Sequence, residues 1–195
     1  MRLSSSISSG RLLLHICCAP CVIHTFSELR KDFKEVFAFW YNPNIHPFLE
    51  YQRRLGAVRI WVEREKVRIL YKDDYGLKGF LRQVVYREEE RCRVCYHMRL
   101  KMTAMVARKG NFHYFSSTLL LSPHQDRQLL EEIMREVGKE HSVRPYLEEV
   151  QGGWRKGVDL AREMGLYRQQ YCGCIYSEGE RYGRSKGARG KLKHF

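Results

Sequence analysis

The run Arg11-Leu12-Leu13-Leu14-His15-Ile16, followed at once by Cys17-Cys18-Ala19-Pro20-Cys21, decides the fold. Its first part is a continuous apolar stretch, the pattern of a strand buried on both faces in a parallel sheet. Pro20 suits the first turn of a helix, predicted from about Cys21 to Lys31 with Val22, Phe26 and Leu29 inward. The same alternation continues downstream. Val36–Tyr41 reads as a second strand, stopped by Asn42-Pro43-Asn44. Phe48, Tyr51, Leu55, Val58 and Val62 recur at helical spacing between Pro47 and about Lys66. Val67–Leu70 reads as a short third strand and Leu77–Glu90 as helical. A further helix begins near Arg93 with Cys95, Met98, Met102, Met105 and Val106 on its packing face. Phe112–Ser117 is the fourth strand, Gln125–Lys139 a helix, Val143–Tyr146 a last strand and Gly157–Met164 a last helix. Strands alternating with helices predict a single α/β unit with a doubly wound, mostly parallel sheet. It is expected over residues 1–182, with residues 183–195 as a flexible basic tail.

Sites in such folds lie outside the carboxyl ends of the strands. Cys17 and Cys18 follow the first strand, and Asn42 and Asn44 the second. Asp73 and Asp74 follow the third, and Ser116, Ser117 and Thr118 close the fourth. One crevice is expected to gather them.

With 195 residues the chain can fill one sizeable core but not two full domains. Hydrophobic residues at 44% and charged residues at 29% exclude wholesale disorder and a membrane bundle. No apolar stretch approaches the ~20 residues of a spanning helix. The opening Met1–Arg11 is polar, and the five strand-like letters after it (LLLHI) are too few for a signal-peptide core. A soluble, cytoplasmic protein is expected. The formal net charge of +13 favours polyanions such as phosphate backbones. Arg181, Arg184, Lys186, Arg189, Lys191 and Lys193 follow one another with no acid among them.

Seven cysteines in a reducing compartment do not read as a disulfide framework. They come as Cys17, Cys18 and Cys21, then Cys92 and Cys95, then Cys172 and Cys174. The two CxxC spacings let a pair of sulfurs reach one metal, and nearby helix N-termini favour thiolate. Zinc and an iron–sulfur cluster both satisfy that spacing. Cys172-Gly173-Cys174 can close only a small strained ring, which points to a redox-active pair, with metal ligation as the rival. Around it, Tyr167, Arg168, Gln169, Gln170, Tyr171 and Tyr176 can stack on an extruded base, or can equally be core tyrosines and solvated cations. The turn after the first strand lacks glycine and contains a proline, so it is not a phosphate cradle. His15 reads as a satisfied core histidine. His46, His97 and His124 lie near the expected site loops without a ligand partner at helical spacing. Asp73 can ligate a metal, act as an acid, or simply be solvated.

Five segments resemble, in order, those of the QueH-type epoxyqueuosine reductases. They are Leu13–Cys21 (LLHICCAPC), Tyr41–Pro47 (YNPNIHP), Cys92–Leu100 (CRVCYHMRL), Ser116–Gln125 (SSTLLLSPHQ) and Gly165–Ser177 (GLYRQQYCGCIYS). The likeness runs from about residue 11 to 182, leaving the basic tail outside. It implies removal of the epoxide oxygen of epoxyqueuosine at the wobble position of tRNA, giving queuosine. It also implies a [4Fe–4S] cluster without cobalamin, an anticodon stem-loop as partner and an electron donor from outside the chain. On this likeness Cys17, Cys18, Cys92 and Cys95 are the expected cluster ligands. Cys21 and Asp73 would then be free for a second iron. Cys172 and Cys174 are the expected redox pair and Asp73 the acid that protonates the departing oxygen. Asn42, Asn44, Ser116, Ser117, Thr118, Arg168 and Tyr171 are the expected substrate contacts. Two other classes fit the bare residues: a zinc-stabilised RNA-binding module and a thiol–disulfide oxidoreductase.

Overall fold

A computed structural model describes residues 10–148 and 153–183. Five parallel strands form one sheet in the order β3-β2-β1-β4-β5. They are β1 (Arg11–Ile16), β2 (Glu35–Trp40), β3 (Ile69–Tyr71), β4 (Tyr114–Ser117) and β5 (Arg144–Pro145). The helices are α1 (Ala19–Asp32), α2 (Phe48–Glu65), α3 (Leu77–Val84), α4 (Arg91–Lys109), α5 (Arg127–Glu140), α6 (Gly153–Glu163) and α7 (Ile175–Tyr182). This is the doubly wound α/β arrangement the alternating pattern predicts. Of the tail 183–195, all but Gly183 lies outside the described residues.

Why β1 occupies the centre follows from its side chains. Leu12, Leu14 and Ile16 pack on one face with Val22, Phe26, Trp40, Tyr51, Val58 and Trp61, which belong to α1, β2 and α2. Leu13 faces the other way, among Phe39, Phe80, Leu100, Phe115 and Ile133. A strand covered on both sides needs no polar alternation, hence the unbroken run. The chain leaves β1 toward β2 on one side and returns to β4 on the other. The carboxyl ends of β1 and β4 are therefore the topological switch point.

Several boundaries differ from the sequence expectation for identifiable reasons. The helical stretch 77–90 is broken after Val84, and Tyr86 takes a left-handed φ of 65° before a short 3₁₀ turn at Glu88–Glu90. On α4 the packing face is Tyr96, Leu100, Thr103, Ala104 and Ala107, whereas Met98, Met102, Met105 and Val106 are only half-buried at its flank. Small alanines let α4 approach the sheet, and the longer methionines fill its edges. α6 starts at Gly153 rather than Gly157. Gly157 packs directly on α1, where a Cβ would collide with the Pro20 carbonyl oxygen. That close approach brings Trp154 and Val158 to the cysteine turn.

Candidate metal–sulfur site and cavity

Cys17 is the first residue beyond β1 and Thr118 the first beyond β4, so the two meet at the switch point. The Cys17 N–H donates to Thr118 Oγ1 (3.1 Å), and the Thr118 hydroxyl donates to Cys17 Sγ (3.3 Å). The turn into α1 carries Cys18 at the N-cap and Cys21 in the first helical turn. Sγ of Cys17 and Cys18 are 3.7 Å apart, and all three sulfurs lie within 4.8 Å of one another. Among the described residues no other set of three or more His, Cys, Asp or Glu converges this way. All three cysteines are buried.

The three sulfurs are not equivalent. Hydrogen bonds from Cys18 and Cys21, helped by Thr118 and opposed by burial, hold the Cys17 thiol well below its ordinary value. Burial and the neighbouring Cys17 push the Cys18 thiol up. Cys21 is raised too, first by its hydrogen bonds with Cys17 and Cys18. Beneath the site, His15 is fully used. Its Nε2–H donates to the Tyr41 carbonyl (3.1 Å) and its Nδ1 accepts from the Ser117 hydroxyl (2.8 Å). Burial, with Arg99 nearby, lowers its pKa to about 4, so the ring is neutral. The reading of a satisfied core histidine holds.

Two buried arginines compensate the sulfurs. Arg54 of α2, 1% exposed, pairs with Glu50 (2.6 Å) and lies close enough to Cys17 and Cys18 for their charge to act on it. Arg99 of α4 donates through Nε to Asn44 Oδ1 (2.7 Å) and acts on His15, His46 and Cys95. Among the described residues it has no carboxylate within ion-pairing distance, an arrangement suited to an anionic neighbour.

Cys92 and Cys95 stand at the start of α4 and do not join the group of three. Burial pushes the Cys95 thiol up to about 12, against the pull of Arg99, and Cys172 and Cys174 add to the rise. These four sulfurs therefore share one electrostatic neighbourhood. The CGC segment is held by Arg54, whose two Nη atoms donate to the carbonyls of Tyr171 and Cys172, both at 2.8 Å. Gly173 adopts φ 144°, a conformation that L side chains rarely reach, and its carbonyl accepts from the His46 N–H (2.6 Å).

A cavity of about 660 Å³ opens over this region. It is lined by the cysteines Cys17, Cys21 and Cys172, by Trp154, His124 and Tyr171, by Gln125, Gln169 and Gln170, and by Arg168 and Arg181. Gln169 Nε2 donates to Cys18 Sγ at 3.0 Å.

The expected contact residues divide in two. Arg168 and Tyr171 line the cavity. Asn42, Asn44, Ser116, Ser117 and Thr118 are buried with internal partners: Asn42 donates to Ile16 O, and Ser116 donates to Tyr146 O. Asp73 lines no part of the cavity. It accepts from the Tyr51 hydroxyl (2.7 Å) and Arg59 (3.1 Å) at the far strand edge. Arg54, Arg99, Gln125 and Trp154 escape the sequence reading. The only signal for Gln125 was its place ending the segment that begins at Ser116.

A family model described as Epoxyqueuosine reductase QueH matches residues 12–180. Epoxyqueuosine reductase QueH of Dehalococcoides mccartyi is 38% identical over 174 residues, covering 89% of this chain and 96% of that protein. The protein of the same name from Thermotoga maritima is 33% identical over 182 residues, covering 88% and 92%. Among solved structures, the U34-tRNA thiolase NcsA from Methanococcus maripaludis with its [4Fe-4S] cluster shares the fold. Its TM-score is 0.56 at 13% identity, over 90% of this chain and 64% of that one. With the family model spanning nearly the whole described chain and such relatives matched end to end, this chain belongs to the epoxyqueuosine reductase QueH family.

Proposed function

We propose that this chain removes the epoxide oxygen of epoxyqueuosine in tRNA. The overall change consumes two electrons and two protons and yields an alkene and water. The observation that carries the reading is a buried trio of cysteines, two of which, Cys17 and Cys21, line a cavity walled by rings, amides and arginines. Rings stack on an extruded base, amides bond its edge, and cations meet the phosphates beside it. A volume of about 660 Å³ suits a modified nucleoside.

The donor set fits a metal–sulfur group. Three thiols gathered within 4.8 Å, with the buried Arg54 near them and the buried Arg99 beside Cys95, form an anion-tolerant, thiophilic socket. In this reading the group is a [4Fe–4S] cluster held by Cys17, Cys18, Cys92 and Cys95, with Cys21 as the surplus donor for it or for a second iron. Arg99, acting both on His15 below Cys17 and on Cys95, supports a shared occupant for the two segments. When bound, such a cluster supplies single electrons that side chains cannot. The chain's own part is to bury the centre, admit the base and hold protons. Groups that can hold a proton at the cavity include His124, the Tyr171 hydroxyl and the Cys172 thiol, whereas Asp73 does not line it, so in this reading the acid is a cavity group rather than Asp73. Cys172 and Cys174 act as a dithiol that restores the centre after turnover, drawing on an external donor.

Anaerobic incubation with epoxyqueuosine-containing tRNA and a reductant, followed by nucleoside mass spectrometry, tests the reaction. Loss of one oxygen from the nucleoside is expected. An unchanged nucleoside, from protein shown to contain iron and sulfide, would overturn the proposal.

A further inference from the structure

Resting on the reading of Cys172 and Cys174 as a redox pair, we propose that the two sulfurs have fixed and different roles. Cys172 is the sulfur that exchanges with an outside dithiol, and Cys174 is its inner partner. Gln125, oriented by Tyr96, is the positioning residue that sets this polarity.

Three observations converge on it. Cys172 is exposed and lines the cavity, whereas Cys174 is half-buried and does not. The hydrogen bonds at the two sulfurs also run in opposite directions. The Asp126 N–H donates to the Tyr96 hydroxyl oxygen (3.1 Å), which leaves the Tyr96 proton free to donate. That proton meets Gln125 at 2.9 Å, so the amide end facing Tyr96 must be the acceptor Oε1. Nε2 is thereby turned outward and donates to Cys172 Sγ at 3.1 Å. The amide cannot flip without setting two donors against each other. Cys172 is thus an acceptor.

Cys174 is placed the other way. The single proton of Ser177 goes to the Cys174 carbonyl (2.7 Å), and Ser177 Oγ also accepts the Gly173 N–H (3.1 Å). Toward the Cys174 sulfur, 3.5 Å away, Ser177 has only a lone pair to offer. Cys174 engages it by donating its S–H.

In the oxidised pair, an external dithiol attacks Cys172 Sγ. The new S–S bond forms as the Cys172–Cys174 bond breaks, and Cys174 leaves with the attacking thiol's proton in reach of Ser177. The donor's second thiol then attacks its own sulfur in the mixed disulfide and releases Cys172. The donor ends as a disulfide and the pair as two thiols, a transfer of two electrons.

The test is competitive alkylation of the reduced, cluster-containing full chain with limiting iodoacetamide under anaerobic conditions, read peptide by peptide by mass spectrometry. Cys172 is expected to be labelled several times faster than Cys174. In Gln125→Leu its lead should shrink by about threefold to tenfold, the weight of one hydrogen bond. Tyr96→Phe keeps the ring and should shrink it in the same direction, which guards against a Gln125 variant that fails to fold. Ser177→Ala should speed labelling of Cys174 alone. Equal labelling in the parent, or a ratio that neither Gln125→Leu nor Tyr96→Phe moves, would overturn the assignment. So would a parallel rise of both rates, the mark of general loosening. Labelling order is read without turnover, so its failure is distinguishable from failure of the deoxygenation assay.

Discussion

A histidine ring buried away from the surface makes stability depend on pH. His46 is 0% exposed and faces the rings of Tyr75 and Phe80, and among the described residues its ring has at most the backbone of Pro43 to favour a proton. Burial, with Arg99 adding to it, lowers its pKa from 6.5 to about 4. The folded form therefore refuses a proton that the unfolded chain accepts below pH 6.5. Stability is complete above that value and is lost as the pH falls toward 4, and His15 contributes with the same sign. Each ring accounts for on the order of 3 kcal/mol. Urea midpoints measured from pH 7 down to pH 4 should fall, and His46→Phe should remove about half of the fall. Residues of this kind were unevenly legible. His15 could be read as a core residue because it interrupts an apolar strand. Gln125, Arg54 and Arg99 could not, because a single amide or cation in a loop or helix has no period. Only the fold shows which sulfur or carbonyl it meets.

At the scale of elements, the central strands were legible because burial on both faces writes an unbroken apolar run. α7 was not, since eight residues with Gly179 inside them give little helical signal. It is secured from outside, by the Arg91–Glu180 ion pair and by Arg91 lying over Tyr176. The link between α2 and the segment before α7 was equally hidden, yet it holds the site together. Arg54 bonds Glu50 beneath and two carbonyls of the CGC segment above. Arg54→Met strands a buried carboxylate and should cost about 3–5 kcal/mol in a denaturant titration. Adding Glu50→Gln should recover part of that stability. It should not restore cluster retention, read as iron per chain, because the grip on Tyr171 and Cys172 is still missing. Gly157→Ala tests the α1–α6 contact. Its Cβ meets backbone at Pro20 that cannot turn aside, so a loss of about 1–3 kcal/mol is expected, with Trp154 drawn off the cavity wall.

For the molecule as a whole, the order β3-β2-β1-β4-β5 puts the switch point where three clustered cysteines and Thr118 meet. The strand-edge rule foretold that position, but not that most other loop ends there are engaged inward. Asn42, Asn44, Ser116 and Ser117 brace the crevice from within, and segments from beyond residue 150 supply much of its wall. The cavity thus presents Arg168 and Arg181 outward, on a chain of formal net charge +13. Binding of tRNA to such a surface releases counterions, so log Kd should rise linearly with log salt. Residues 184–195 add Arg184, Lys186, Arg189, Lys191 and Lys193 without an acid. If they neutralise phosphate, ending the chain at Gly183 should lower the slope by about one to three units. Arg168→Ala with Arg181→Ala should lower it by about one to one and a half, whether or not residues 184–195 are present. Equal slopes for the full and shortened chains would confine the RNA contact to the cavity face. A slope unchanged by the arginine pair would instead move the phosphates away from that mouth.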